Sequence, residues 1–202
     1  MAERDALWSI ASYTADEDSG SLRRLRHWAA GTTSASPDEE IGLAATTFLW
    51  LLTSPNRYLR DTVTRSLTDL LSRRLNVGGQ LLAQARSVDD PYVQERVLLA
   101  CYGALMIAGD QDSSGAQAIC AALEDWPREE IPVHVLARDS ARGIAYWAES
   151  RGYYDLAQRA RCEPPFTAAV PIDPPTADEL EAEHGVVKSG DEYGPWRAYA
   201  IL

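Results

Sequence analysis

A short polar segment that recurs along the chain constrains the fold more than any other feature of the sequence. The tetrapeptide YLRD at residues 58–61 aligns with YVQE at 92–95, and LARD at 136–139 falls in the same frame. The acid that ends each tetrapeptide recurs after 34 and then after 44 residues. Spacings of about 34 to 47 residues are typical of repeats built from two helices. We therefore interpret the segment as part of a repeating unit, not as a catalytic centre.

The pattern of apolar residues predicts an all-α fold. Apolar residues recur at helical spacing through most of the first 160 positions and rarely alternate with period two. At least three antiparallel helix pairs are predicted between about residues 37 and 160. The stripes predicted to be buried are Leu59, Val63, Leu67, Leu70 and Leu71; then Val93, Val97, Ala100, Ala104 and Ile107; then Ala116, Ile119, Cys120 and Leu123; and last Leu136, Ser140, Ile144 and Trp147 or Ala148.

Prolines that follow a capping side chain predict where several helices begin. Ser36-Pro37, Ser54-Pro55 and Asp90-Pro91 each place a side-chain oxygen before a proline, which the first helical position tolerates. A further helix is predicted to open on Pro132. The segments ERDALWSIASY and LRRLRHWAA predict one or two short helices before the first pair.

The composition changes near residue 161 and predicts two domains. Residues 1–161 are predicted to form an α-solenoid of HEAT-like antiparallel helix pairs, and residues 162–202 an extended Pro-rich strap. The last segment, DEYGPWRAYAIL, is apolar and compatible with a strand. Because such a segment needs a pairing partner, we expect it to dock onto something else or to continue in a longer protein.

Charge, cysteine content and the N-terminus exclude several classes of protein. The chain has 19 Lys and Arg against 30 Asp and Glu, a net charge of −11 that repels nucleic acid. Its three cysteines show no C-x-x-C spacing. No signal peptide and no run of roughly 18 apolar residues occurs. These features predict a cytoplasmic protein with reduced thiols that binds neither nucleic acid nor a membrane.

Motifs that carry known chemistry do not occur. His27, His134 and His184 have no acid or cysteine at a ligand or triad spacing. The glycine-rich segments GVVKSG and GDQDSSG do not have the lysine and hydroxyl pattern of a phosphate-binding loop. The motifs of zinc proteases, α/β-hydrolases and dinucleotide-binding domains are also missing from the sequence. We predict a chain that is not an enzyme and uses no cofactor and no metal.

Charged and aromatic residues of the repeats are the candidates for binding a protein partner. An acid in the first turn of a helix can face free backbone amides and an arginine of the next unit, which is a structural role, but inner helices of solenoids also line ligand grooves. Trp126 lies in the polar segment EDWPREE, where exposure is expected, whereas Trp50 and Trp147 lie beside apolar stripes and are expected in the core or at a groove edge. The protein-binding candidates are Arg60, Asp61, Tyr92, Trp126, Arg138, Asp139 and Trp147.

Several longer segments together resemble a known family. The segments TSPNRYLRDTVTRSLTDLL, SVDDPYVQERVLLACYGALM, PVHVLARDSARGIAYWAESRG, CEPPF and YGPWRAYAIL resemble large bacterial STAND-class NTPases of the AVAST antiviral type over roughly residues 40 to 202. The resemblance implies a C-terminal helical-repeat sensor that recognises phage proteins, after which ATP binding and oligomerisation switch on an effector. This chain contains no NTPase motif and no effector residue. The resemblance therefore implies only the sensor or scaffold role, and the oligomeric state stays open.

Two alternatives remain beside a protein-binding module. HEAT-like DNA glycosylases use tryptophans and an aspartate on a basic concave face. The arginines at positions 23, 24, 26, 57, 60 and 65 are offset by acids, so a basic face is not evident. A purely architectural spacer is the third interpretation. A mixed or negative groove would favour protein binding over base excision.

Overall fold

A computed structural model describes residues 2–14, 20–31, 36–126 and 134–164, together with Thr176 and Glu179. The chain divides into two compact units, Met1–Phe166 and Thr167–Leu202. In the second unit the Glu179 carboxylate accepts hydrogen bonds from the backbone N–H and the hydroxyl of Thr176 at 2.7 and 2.9 Å. These bonds lower the pKa of Glu179. Apart from these two residues, the predicted strap beyond residue 164 and the apolar end lie outside the described residues.

All regular structure in the described part of the chain is helical, which confirms the all-α prediction. The helices are α1 (Ala2–Tyr13), α2 (Gly20–Gly31), α3 (Asp38–Leu51), α4 (Arg57–Leu71), α5 (Leu75–Arg86), α6 (Pro91–Ala108), α7 (Ser113–Glu124), α8 (Val135–Ser150) and α9 (Leu156–Ala160). None of these described helices is both long enough and apolar enough to cross a membrane.

Helices α2 to α8 pack in two rows. One row contains α3, α5 and α7, and the other contains α2, α4, α6 and α8; within each row every helix contacts the next. In the second row Asp61 contacts Arg96 and Thr68 contacts Gly103, so residues 35 positions apart meet twice along α4 and α6. Because later residues of α4 meet later residues of α6, the two helices run in the same direction.

The first row has the same regularity. Asn76 donates a hydrogen bond to Asp38 at 2.6 Å, and Thr46 donates one to Gln84 at 3.5 Å; both pairs are 38 positions apart. Contacts between α3 and α4, α5 and α6, and α7 and α8 join the two rows. The core lies between the rows, because each row turns its apolar side toward the other.

The start of α6 confirms one predicted cap, and the start of α4 corrects another. Asp90 caps α6 by accepting hydrogen bonds from the backbone N–H groups of Tyr92 and Val93, with Pro91 in the first turn. Helix α4 begins two residues later than Ser54-Pro55 predicted. Asn56 is its cap and accepts from Tyr58 and Leu59 at 3.0 and 3.3 Å.

A helix begins near Pro37 as predicted, but its cap lies one residue later than Ser36. Pro37 occupies the cap position itself and α3 begins at Asp38, with no side-chain hydrogen bond at the cap. Three acids in the first turn favour this helix end through its dipole. The predicted opening at Pro132 lies outside the described residues; α8 begins at Val135 after His134.

The predicted buried stripes are confirmed with two exceptions, Ile107 and Leu136. Ile107 is 60% exposed, because the buried face of α6 drifts with the helical period and ends on Ala108. Leu136 is 51% exposed, and the buried residue of that turn is Ala137. Trp50, expected in the core or at a groove edge, is 61% exposed, so that prediction is wrong: the core side of this part of α3 is filled by Phe48 and Leu49.

Helices α5 and α7 approach so closely at Gly79 that a side chain there should be costly. A Cβ atom on Gly79 would lie 2.7 Å from both the carbonyl carbon and the carbonyl oxygen of Ala118. Backbone atoms cannot move aside as a flexible side chain can. We expect Gly79→Ala to lower the free energy of unfolding by about 1 to 3 kcal/mol, measured by urea denaturation.

Gly42 in α3 provides the matched control, since a Cβ atom there would meet nothing within 4 Å. Gly42→Ala is expected to raise the free energy of unfolding by roughly 0.5 to 1 kcal/mol through helix propensity alone. Equal gains from the two substitutions would show that α5 and α7 are further apart than described.

Candidate protein-binding surface

The recurring tetrapeptides occupy equivalent places at the starts of three helices of one row. The cap residues of α4, α6 and α8 are Asn56, Asp90 and His134, whose spacings of 34 and 44 residues match those of the tetrapeptides. The second residue after each cap is large and exposed (Tyr58, Tyr92 and Leu136). The third residue is buried (Leu59, Val93 and Ala137). The fifth residue is an acid (Asp61, Glu95 and Asp139).

Asp61 joins α4 to α6. Arg96 Nη1 donates to Asp61 Oδ1 at 2.6 Å, and Arg57 Nε lies 3.7 Å from Asp61 Oδ2. The Arg96 side chain is 18% exposed and that of Asp61 is 34% exposed, so the pair is partly shielded from water. The carboxylate therefore has two arginine partners, one from its own helix and one from the neighbouring helix.

Glu95 joins α6 to the start of α8. Its side chain is 3% exposed, with Oε1 3.6 Å from Arg96 Nε and Oε2 3.5 Å from His134 Nδ1. A buried carboxylate needs such cationic or polar neighbours because burial removes its hydration. Asp61, Arg96, Glu95 and His134 thus form a chain of charged and polar groups that crosses three helices, and we call it the polar chain.

Asp139 does not take part in the polar chain. Its side chain is 60% exposed and pairs with Arg142 of the same helix. Asp61 and Glu95 each meet a side chain from the helix that follows in their row, whereas among the described helices α8 is followed by the short α9. The equivalent acid of the last unit is consequently left on the surface.

Tyr92 lies beside the polar chain and remains 61% exposed. The Arg60 guanidinium carbon is 6.0 Å from its ring centre, and the His134 ring is 6.1 Å away and tilted by 58°. Arg60 Nη1 also donates to the Ser54 carbonyl at 2.6 Å, which holds the guanidinium in place. The structure thus places Arg60 beside Tyr92, while Asp61, the next residue of α4, pairs with Arg57 and Arg96. Arg138, another charged candidate, is half-buried on α8.

A second feature, the α6–α8 groove, contains the candidates Asp139 and Trp147. It is an open depression of about 720 Å³, and its main lining residues are Tyr102, Met106, Asp139, Arg142, Tyr146, Trp147 and Arg151. Sequence reasoning missed Tyr102, Met106, Arg142, Tyr146 and Arg151. The signal available for Met106 was its spacing: Tyr92, Leu99 and Met106 follow at intervals of seven residues and share one side of α6.

Trp147 forms part of the wall of this groove and is largely buried. Its ring stacks on Tyr153 with centres 5.7 Å apart, and the Arg151 guanidinium carbon lies 5.5 Å from its ring centre. Arg151 also pairs with Asp110. The expected place of Trp147, in the core or at a groove edge, agrees with these contacts.

Tyr146 is the more exposed aromatic residue of the groove. Its hydroxyl donates a hydrogen bond to Glu163 at 2.7 Å, and the Arg159 guanidinium carbon lies 4.9 Å from its ring centre. The hydrogen bond to Glu163 raises the pKa of Tyr146 above its ordinary value. The phenol is therefore uncharged at neutral pH and presents an aromatic face with a fixed polar tip.

Trp126 is not available to a partner, so the expectation that it is exposed was wrong. Its side chain is 2% exposed. Its backbone N–H donates to the Leu123 carbonyl at 3.1 Å, which continues the turn of α7 and directs the ring toward the core beside Tyr154 and Cys162. The charged residues around it in the sequence favoured a loop, but they do not determine the direction of a single side chain.

Cys101 and Cys120 are poorly suited to act as nucleophiles. Burial raises the pKa of the Cys101 and Cys120 thiols to about 12, so both stay protonated at neutral pH. Tyr154, whose hydroxyl donates to the Cys120 carbonyl, also has a raised pKa because it is buried. Within the described ranges, no cluster of His, Cys, Asp and Glu has the arrangement needed to hold a metal ion.

Comparisons of the chain with protein-family models, with curated protein sequences and with solved structures found no significant match.

Proposed function

We propose that this chain is a non-catalytic protein-binding module, an α-solenoid of HEAT-like helix pairs that presents a face of α6 and α8 to a partner. The observation that carries the proposal is that the polar and the apolar side chains of α4, α6 and α8 have different surroundings. The polar chain is engaged in joining neighbouring helices, while large apolar side chains of the same row face solvent.

Regular contacts support the repeat architecture in this proposal. Partners 35 positions apart join α4 to α6, and partners 38 positions apart join α3 to α5. Stacked helix pairs of this kind offer one extended face to a partner. The role assigned to Asp61 and Glu95 is then structural, as cross-links between units.

Exposed apolar side chains support a binding role for the α6 and α8 face. Tyr92, Leu99 and Met106 lie two turns apart on α6 and are 61%, 38% and 57% exposed. Tyr146 on α8 is 45% exposed. Contiguous apolar side chains with a polar surround are typical of protein interaction sites, and aromatic residues are frequent among their energetic centres.

The resemblance to antiviral STAND-class NTPases makes the proposal more specific. In that context the partner would be a foreign protein or a neighbouring domain, and the chain would act as sensor or scaffold in bacterial cytoplasm. The mixed charges along the polar chain favour this proposal over the HEAT-like glycosylase alternative, which requires a basic surface. An architectural spacer would need no exposed apolar face.

Site-specific photo-cross-linking tests the proposal. A photoreactive phenylalanine analogue is placed at Met106 and, as a matched control, at Ala83, an exposed residue of α5 in the other row. We expect polypeptide adducts in cells from position 106 and not from position 83. Adducts that are equal or missing at both positions would contradict the proposal and favour the spacer.

The purified chain is expected to hydrolyse no ATP and to excise no base from DNA. The groups that resemble a reactive cluster are held in ion pairs, and Asp61 in particular is held between two arginines. Phosphate release and abasic-site formation measure the two activities. Nucleotide turnover that disappears in Asp61→Ala or Asp139→Ala would overturn the non-catalytic proposal.

A further inference from the structure

The α6–α8 groove combines an apolar wall with guanidinium groups. We infer that it binds a polypeptide segment that places a large apolar side chain beside a carboxylate. This inference rests on the proposed function, because it names the kind of partner that the same face recognises. Space, charge and preorganisation each support it.

The shape of the groove suits a large side chain. Helices α6 and α8 approach closely at Gly143, where a Cβ atom would lie 2.7 Å from Tyr102 Cζ, so the tyrosine ring closes the floor. The groove as a whole has a volume of about 720 Å³, and Met106 and Tyr146 also line it. A methionine beside aromatic rings adapts to apolar groups of different shape.

The residues that line the groove include more arginines than acids. Its charged lining residues are Arg142, Arg151 and Asp139, a net charge of +1 in a protein of net charge −11. Each arginine is paired with a more exposed aspartate. The Arg142 side chain is 43% exposed and that of its partner Asp139 is 60% exposed. The Arg151 side chain is 38% exposed and that of its partner Asp110 is 76% exposed. Arg142 and its partner Asp139 both line the groove, whereas of the pair formed by Arg151 and Asp110 only Arg151 does.

Exchange of a partner carboxylate for these aspartates is energetically accessible. Exposed ion pairs contribute only about 0 to 1 kcal/mol, so an incoming carboxylate displaces them at little cost. Guanidinium groups bind carboxylates with two parallel hydrogen bonds. Arg151 is already held over the Trp147 ring at 5.5 Å, which reduces the loss of side-chain freedom on binding.

A nucleotide is the other ligand class that arginines and aromatic rings bind. The observations favour the polypeptide, because Asp139 lines the groove and the whole chain is strongly anionic, which repels a polyphosphate more than a single carboxylate. ATP is therefore included as a competitor when peptide binding is measured.

A random twelve-residue peptide library displayed on phage, selected against the immobilised full chain, tests the inference. Enriched peptides are expected to carry Asp or Glu next to Leu, Met, Phe or Trp. The affinity of a fluorescein-labelled enriched peptide is then measured by anisotropy. Arg151→Gln and Met106→Ser should each weaken binding about tenfold or more. The matched controls Arg65→Gln on α4 and Leu43→Ser on α3, both exposed, should leave it unchanged.

Each outcome decides a different question. Three results would overturn the inference and leave the protein-binding proposal standing. The first is enrichment of peptides without acids, and the second is an affinity that Arg151→Gln leaves unchanged. The third is displacement of the labelled peptide by ATP but not by unlabelled peptide. Failure to enrich any peptide while position 106 still cross-links a polypeptide also overturns the inference alone. Failure of both the selection and the cross-link would contradict the proposed function itself. Circular dichroism of each variant verifies that it is folded.

Discussion

Replacement of Trp126 by alanine is expected to lower the free energy of unfolding by about 3 to 5 kcal/mol. The indole ring is 2% exposed and is among the largest fully buried side chains of the described residues. It lies beside Leu123, Tyr154 and Cys162, at the place where the end of α7 meets the turn before α9. Removal of the ring leaves a cavity that two separate segments would have to close. Equilibrium denaturation in urea measures the loss.

Trp50→Ala is the matched control for this prediction, since it removes the same ring from a position that is 61% exposed. Its effect is expected to stay within about 0.5 kcal/mol of wild type. Comparable losses for the two variants would show that Trp126 is not a core residue. It would then regain the role of an exposed partner contact that its sequence neighbours suggested.

Leu67→Ala is expected to cost about 2 to 4 kcal/mol. Leu67 has no exposed surface and lies in α4, which contacts α2, α3, α5 and α6. Because α4 is packed against four other helices, its surroundings are expected to fill only part of the space that the side chain leaves. Val97→Ala on α6 removes fewer atoms from the same core and should cost somewhat less.

The control for Leu67 is Leu43→Ala on α3, where the side chain is 66% exposed. Chemical denaturation should show a change of less than about 0.5 kcal/mol for Leu43→Ala. A loss at Leu67 as small as this would mean that the stripe of α4 does not face the core. Such a result would remove the basis for treating the two helix rows as one folded unit.

The stability measured for these variants is also the reference against which the stability of the binding variants is compared. Met106→Ser and Arg151→Gln change exposed or half-exposed side chains, and neither should lower stability as Leu67→Ala does. A binding defect together with wild-type stability would therefore report on the groove. A binding defect with a large loss of stability would report on the core.

Local sequence patterns predicted most of the helical architecture. The stripe from Leu59 to Leu71 and the cap at Asp90 follow from neighbouring residues alone, and both are confirmed. The start of α4 was placed two residues early because Ser54 and Asn56 both offer a capping oxygen. Asn56 is the cap, and its side chain accepts hydrogen bonds from the backbone N–H groups of Tyr58 and Leu59. The Ser54 hydroxyl accepts one hydrogen bond, from the backbone N–H of Asn56.

The candidate surface was predictable only in part. Arg60, Asp61 and Tyr92 were found because they belong to the recurring tetrapeptides, and the structure places the Arg60 guanidinium carbon 6.0 Å from the centre of the Tyr92 ring. The guanidinium groups of the groove, Arg142 and Arg151, show no such recurrence. Their position in one groove depends on the distance between α6 and α8, which no local pattern encodes.

The sequence by itself determined where helices form, which side of each is apolar, and that equivalent positions recur after 34 and 44 residues, because these properties depend on neighbours within a few turns. Only the tertiary structure decided that Trp126 is buried while Trp50 is exposed, because the direction of a side chain depends on which helix packs beside it. It also decided that Asp61 and Glu95 join helices whereas Asp139 stays on the surface. These three acids occupy equivalent positions, but Arg96 and His134 lie beside Asp61 and Glu95, whereas Asp139 pairs with Arg142 of its own helix.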